Sequence, residues 1–287
     1  MTKYLNTNFD LNSDKLVELL DEVPLWSAPF GLRLLDKIDY KKDITVLDIG
    51  FGAGFPLTEI AMRLGNSCKI FGIDPWEAAI KRTEKKIDFY EINNVEIIRG
   101  VAENIPLDND SVDLITSNNG INNATDLNKT LSECSRIIKR GGQFIQTLNL
   151  NDSLIEFYSI LEKVLKDLKM ENELTQMEKQ IYEKRKPFKE FTNLIEKHDF
   201  KIDSVANDQF DYKFVDGTTM LNHYFIRLAF LDGWKSIVPI DKQVEIFKQM
   251  EELMNQHSNK NGYFKLSVPF VIIDCKKLSP CVSIVVV

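Results

Sequence analysis

The chain has 287 residues, 44% of them hydrophobic and 28% charged, a balance that suits a folded globular protein and excludes a disordered or collagen-like one. Its formal net charge of −7 works against binding a phosphate backbone, where affinity rests on Lys and Arg, so nucleic acid is not the expected partner. The triplet Lys184-Arg185-Lys186 accordingly reads as a solvated helix face and is given no function.

The four cysteines, Cys68, Cys134, Cys275 and Cys281, form no C-x-x-C, so neither a disulfide framework nor a metal site is expected. Reduced thiols, together with a polar start that lacks a secretory apolar stretch, point to the cytoplasm. The apolar run 281–287 is far shorter than the roughly 20 residues that a spanning helix needs. It reads as an edge strand or a partner contact.

In chain order, the stretch around Trp26 and Phe30 precedes the first strand signal. Strands are then expected over 44–49, 69–73, 95–98, 112–117 and 143–148, short apolar runs bounded by Gly, Asn or Asp. Helical periods alternate with them. Leu57, Ile60, Ala61 and Leu64 mark one apolar face, entered at Pro56 and ended by Gly65. A second helix is expected over 76–90. A third covers 127–139, with Leu127, Leu131, Cys134 and Ile138 inward and Gly141-Gly142 as its stop. This alternation predicts a doubly wound α/β fold built on a mostly parallel sheet.

After Leu148 the rhythm changes to helices over 154–168 and 174–182, punctuation at Pro187, and a helix over 188–197. Strands over 201–214 and 264–275 follow, separated by an insertion, 216–262, much too long for a plain connection. The periods at 218–230 and 242–256 make that insertion helical, as a lid or an oligomerisation element, which leaves a homodimer open. The expected division is 1–150 for the N-terminal helical segment and α/β core, 151–186 for a helical cap, and 187–287 for the rest of the core with its lid.

The strongest local signal is Val46-Leu47-Asp48-Ile49-Gly50-Phe51-Gly52-Ala53-Gly54-Phe55-Pro56, a strand running through close-spaced glycines into a helix. Glycine lets such a loop turn sharply and lets a ligand approach its backbone, while the helix N-terminus offers free N–H groups to an anion. Asp74 ends the next strand, where a carboxylate can accept both hydroxyls of a ribose. The alternative is that Asp74-Pro75 merely caps the following helix. A dinucleotide fingerprint would require a third glycine at position 55, which is Phe55, and this, with Asp48 just before the glycines, argues against NAD.

Four stretches in fixed order, VLDIGFGAG, FGIDPW, RGVAENIPLDNDSVDLI and LSECSRIIKRGGQFIQ, make the segment 45–148 resemble a class I methyltransferase, of the branch that includes the ubiquinone and menaquinone biosynthesis C-methyltransferases. The resemblance implies a seven-stranded, Rossmann-like sheet with a helical cap and S-adenosylmethionine as cofactor. It also implies that Gly50, Gly52 and Gly54 cradle the methionine part, Asp48 helps hold its amino group, Asp74 binds the ribose, and Pro75 and Trp76 lie against adenine. Where the family usually places an Asp after the third strand, this chain has Val101, leaving adenine to Glu103 or to the backbone near Ala102.

The segment 117–123, with Asn118, Asn119 and Asn122, falls at the carboxyl edge of the sheet. Asn118 is assigned to the cofactor, and Asn119 and Asn122 either orient a polar acceptor or serve the turn. The segment lacks the Asn/Asp-Pro-Pro-Tyr motif of amino-methylating DNA enzymes. His223, expected inside the lid helix, is either a base for the acceptor or a packing residue. Trp26 either walls the substrate or anchors the N-terminal helix. The function expected is methyl transfer to a small-molecule acceptor. The alternatives are a non-catalytic S-adenosylmethionine-binding regulator and, against Phe55, an NAD-dependent oxidoreductase.

Overall fold

A computed structural model of the protein describes residues 3–6, 10–20 and 26–279; the apolar run 281–287 and Cys281 lie outside them. The elements are α1 (Asp14–Leu20), α2 (Ser27–Leu35), β1 (Thr45–Ile49), α3 (Leu57–Leu64), β2 (Lys69–Asp74), α4 (Glu77–Phe89), β3 (Val95–Arg99), β4 (Val112–Asn118) and α5 (Leu127–Ile137). They continue with β5 (Ile138–Asn149), α6 (Ile155–Asp167), α7 (Glu171–Lys184), α8 (Phe188–Lys197), β6 (Phe200–Phe214), α9 (Gly217–Asn222), α10 (Tyr224–Ile226), α11 (Asp232–Lys235), α12 (Gln243–Asn261) and β7 (Phe264–Lys277). Among the described residues no helix is long and apolar enough to cross a membrane.

The chain divides into two compact units. An α/β unit comprises Leu11–Leu148, Phe188–Asn207 and Val271–Val287, and a helical unit comprises Met1–Asp10, Asn149–Pro187 and Asp208–Phe270.

In the α/β unit the strand order is β3-β2-β1-β4-β5-β7-β6, with β1 parallel to β2 and β4, β2 to β3, and β4 to β5. The chain winds outward from β1 through β2 to β3, then returns to the other side of β1 with β4. That reversal is the switch point at which open α/β sheets bind ligands, at the strands' carboxyl ends. The β1 side chains Val46, Leu47 and Ile49 are buried, as expected of a strand covered on both faces. Leu57, Ile60 and Ala61 of α3 are buried too, so its sequence period faces the core.

Two local expectations are corrected. The helix at 127–139 stops at Ile137, and Ile138 already pairs with Val112 on β4. Gly141-Gly142 therefore lies inside β5, where the register shifts between Val112 and Leu114; Gly141 has φ +73, and a Cβ on Gly142 would stand 2.8 Å from the Lys139 carbonyl oxygen. The glycines serve a bulge, whose extra residue needs a conformation that side chains resist. Likewise Pro56 caps α3 from outside rather than opening it; α4 has Trp76 as its N-cap, whose N–H donates to Asp74 Oδ1.

In the helical unit the helix expected at 218–230 is broken. His223 has φ −63 and ψ 132 between α9 and α10, and residues Arg227–Leu231 form a π turn. Packed rings organise this unit: Phe157 stacks on Trp234 with centroids 3.7 Å apart, Trp234 on half-buried Phe230 at 5.7 Å, and Phe157 meets Tyr158 edge-on at 5.6 Å. Buried Glu251 of α12 accepts hydrogen bonds from Tyr4 Oη at 3.2 Å and Thr218 Oγ1 at 2.7 Å, tying α9 and the N-terminal residues to α12.

Candidate functional site

The glycine loop leaves β1 with Gly50, Gly52 and Gly54 at φ +76, +52 and +108, conformations that cost an L side chain roughly 1–2 kcal/mol. Its carbonyls are gripped by neighbouring helices. Thr83 Oγ1 donates to the Gly52 oxygen at 2.9 Å and Lys86 Nζ to the Ala53 oxygen at 2.7 Å, both from α4. Thr58 Oγ1 of α3 donates to the Gly54 oxygen at 3.0 Å. At Gly52 a Cβ would meet nothing within 4 Å, so the loop there borders open space.

Asp74 closes the loop from β2. Its Oδ2 accepts from the Gly52 N–H and its Oδ1 from the Trp76 N–H, each at 2.8 Å. Burial pushes its carboxyl above the usual range, and those two backbone donors pull it back. Asp48, fully buried beneath the loop, is pushed up to about 7 by burial, against a hydrogen bond from Thr116 and with repulsion from Asp74. Thr116 Oγ1 donates to its Oδ1 at 2.6 Å, while Oδ2 has no partner among the described residues. A buried carboxylate oxygen without a donor suits a cationic ligand group.

These elements border a cleft of about 430 Å³, within the roughly 300–1,000 Å³ of small-molecule sites. Of the residues expected from the sequence, it brings together Gly50, Gly52, Asp74, Pro75, Trp76, Ala102 and Glu103. Asp48 and Gly54 support the loop without lining the cleft. Trp76 also donates its indole N–H to the Leu11 carbonyl at 2.6 Å. Glu103 is committed to the chain itself, its Oε1 accepting from the Thr125 and Asp126 N–H groups at 2.7 and 3.0 Å.

The asparagines bond to partners within the chain. Asn118 Nδ2 donates to the Ser27 carbonyl at 3.0 Å and its Oδ1 accepts from Thr147 Oγ1 at 3.0 Å, which anchors the start of α2. Asn119 sits at φ +58 and its Oδ1 accepts from Asn122 Nδ2 at 2.8 Å. Trp26 packs edge-on against Phe30 at 5.2 Å.

Sequence reasoning missed Gly120. A Cβ on it would lie 2.2 Å from the Ile49 carbonyl oxygen, so glycine is what lets the β4 loop close against β1. Its backbone is right-handed, and no local signal marks such an approach.

His223 belongs to the helical unit. It meets Phe214 edge-on at 5.4 Å, and its Nδ1 has no hydrogen-bond partner among the described residues. Burial, then the Arg227 charge, lower its basicity and keep it neutral.

A family model described as a methyltransferase domain matches residues 40–201. Among curated relatives, the protein named probable cobalt-precorrin-6B C(15)-methyltransferase (decarboxylating) of Saccharolobus solfataricus is 31% identical over 153 residues, 53% of this chain and 75% of that one. The ubiquinone/menaquinone biosynthesis C-methyltransferase of Campylobacter jejuni is 34% identical over 106 residues, 36% of this chain and 43% of its own length. A solved S-adenosylmethionine-dependent methyltransferase from Aquifex aeolicus shares the fold, with a TM-score of 0.52 and 20% identity over 69% of this chain and 93% of that one. The open glycine loop, the donor-less oxygen of Asp48 and the carboxylate of Asp74 at the end of β2 fit the ammonium and ribose of that cofactor. The chain belongs to the class I S-adenosylmethionine-dependent methyltransferases.

Proposed function

We propose that this methyltransferase acts on a small-molecule acceptor. The cleft of about 430 Å³ at the switch point, bordered by Gly50, Gly52, Asp74 and Trp76, carries the cofactor half of this reading. The names of the relatives, a cobalt-precorrin-6B methyltransferase and a ubiquinone/menaquinone biosynthesis C-methyltransferase, and the net charge of −7 support a small acceptor over a nucleic acid. When bound, S-adenosylmethionine supplies a methyl group on a sulfonium.

The chain's own work is positional. Gly50 and Gly52 present backbone at close range, Asp48 beneath them lends its charge to the ammonium, Asp74 accepts the ribose hydroxyls, and Trp76, Pro75 and the Ala102 backbone hold adenine. Transfer is an in-line displacement, so fixing donor and acceptor in attack geometry supplies much of the acceleration. Among the described residues the free cysteines Cys68, Cys134 and Cys275 are buried, which accords with a reducing cytoplasmic setting.

Calorimetric titration with S-adenosylmethionine, S-adenosylhomocysteine and NAD tests this. Both sulfur ligands are expected to bind, NAD is not, and Asp74→Ala is expected to weaken binding roughly 10- to 100-fold, the worth of hydrogen bonds to a charged group. Binding of NAD in place of the sulfur ligands would overturn the reading. Binding without methyl transfer to any acceptor would favour a regulatory protein.

A further inference from the structure

Lys184 and Lys186 are exposed, yet Arg185 between them is 6% exposed. It is the C-cap of α7, with φ −143, and there the chain turns its side chain inward, the guanidinium 5.8 Å from the ring centre of Tyr158. Its Nε and Nη1 are buried without a hydrogen-bond partner among the described residues. Tyr158 spends its own hydroxyl on Gln180 Oε1 at 3.2 Å.

A guanidinium stays protonated at any pH a folded protein meets. Burying it unpaired is costly, and the ring face of Tyr158 returns only part of that cost. Two donor-bearing nitrogens without acceptors, on a charge that cannot be neutralised, are half of an ion pair. The other half is an oxyanion, because carboxylates and phosphates match guanidinium donors in charge and geometry.

We propose that Arg185, seated on Tyr158 within the helical unit, is the recognition residue for an oxyanion, the carboxylate or phosphate of a small-molecule ligand.

The test is thermal melting and calorimetry of the full chain with benzoate, phenyl phosphate and neutral benzyl alcohol, on wild type, Arg185→Met and Arg185→Lys, with S-adenosylhomocysteine titrated in parallel. One or both anions should raise the wild-type melting temperature while benzyl alcohol does not, and the responding anion tells carboxylate from phosphate. Arg185→Met should weaken that anion roughly tenfold or more, with Arg185→Lys recovering part of it and S-adenosylhomocysteine binding unchanged. If Arg185→Met melts higher than wild type and keeps the same response to every probe, Arg185 is a packing residue and the proposal fails. It fails equally if no anion binds while S-adenosylhomocysteine does. Should Arg185→Met not fold, Arg185→Lys decides, since it keeps the charge and loses the fork. Absence of S-adenosylhomocysteine binding to wild type would sink the cofactor reading and leave the anion result standing.

Discussion

Asp48 holds its proton to about pH 7 in the folded chain, whereas the ordinary value is 3.8. The folded state thus binds the proton more tightly than the unfolded one. Stability from this group is full below 3.8 and is lost as pH rises to about 7. Asp48→Asn keeps an acceptor for Thr116 and removes the charge. Urea melts at several pH values should show wild type losing stability relative to this variant across that window. Parallel curves would mean that Asp48 is not strained by burial. With an ammonium beside it the carboxyl ionises, so cofactor binding should release a proton near neutral pH; equal heats in buffers of different ionisation enthalpy would refute the placement.

What was legible at this scale was chemistry expressed through spacing: three glycines, Asp48 before them and Asp74 one strand later. Arg185 was not legible, because a run of like charges carries no sign of which member turns inward. Nor was the commitment of Glu103, Asn118 and Asn119 to backbone and loop partners, which only tertiary contact decides.

Among the elements, α4 is the clamp of the loop. Thr83 is fully buried, and its hydroxyl satisfies the Gly52 carbonyl. Thr83→Val keeps the shape and strands that carbonyl, so a loss of about 1–2 kcal/mol is expected. Weaker S-adenosylhomocysteine binding should accompany it, read by urea melts and calorimetry, with Thr83→Ser retaining both. An unchanged affinity would show that the loop holds its form without the clamp.

Element type was readable where period and length agreed, as at α3, where the apolar stripe matches the buried face. It failed at 138–142, where helix-ending glycines are indistinguishable from bulge glycines until β4 supplies a partner. It failed again at 217–231, where an apolar period continues through a backbone that His223 breaks.

Over the whole molecule, the net charge of −7 opposes the anion that Arg185 is proposed to hold. Long-range repulsion is screened by salt, whereas a buried pair is screened much less. Raising sodium chloride toward physiological strength should therefore speed association of the responding anionic probe and leave its dissociation nearly unchanged, as stopped-flow measurement would show. An association rate that falls with salt would mean that local positive charge steers the encounter.

The two compact units exchange the chain five times, after residues 10, 148, 187, 207 and 270. β6 and β7 each begin in one unit and end in the other. The helical unit is consequently no cassette that two cuts could lift out. A protease nicking one crossing leaves the units joined by the rest of the chain. Transplanting the helical unit between relatives means exchanging three separate stretches at once, with each strand phase preserved at its seam.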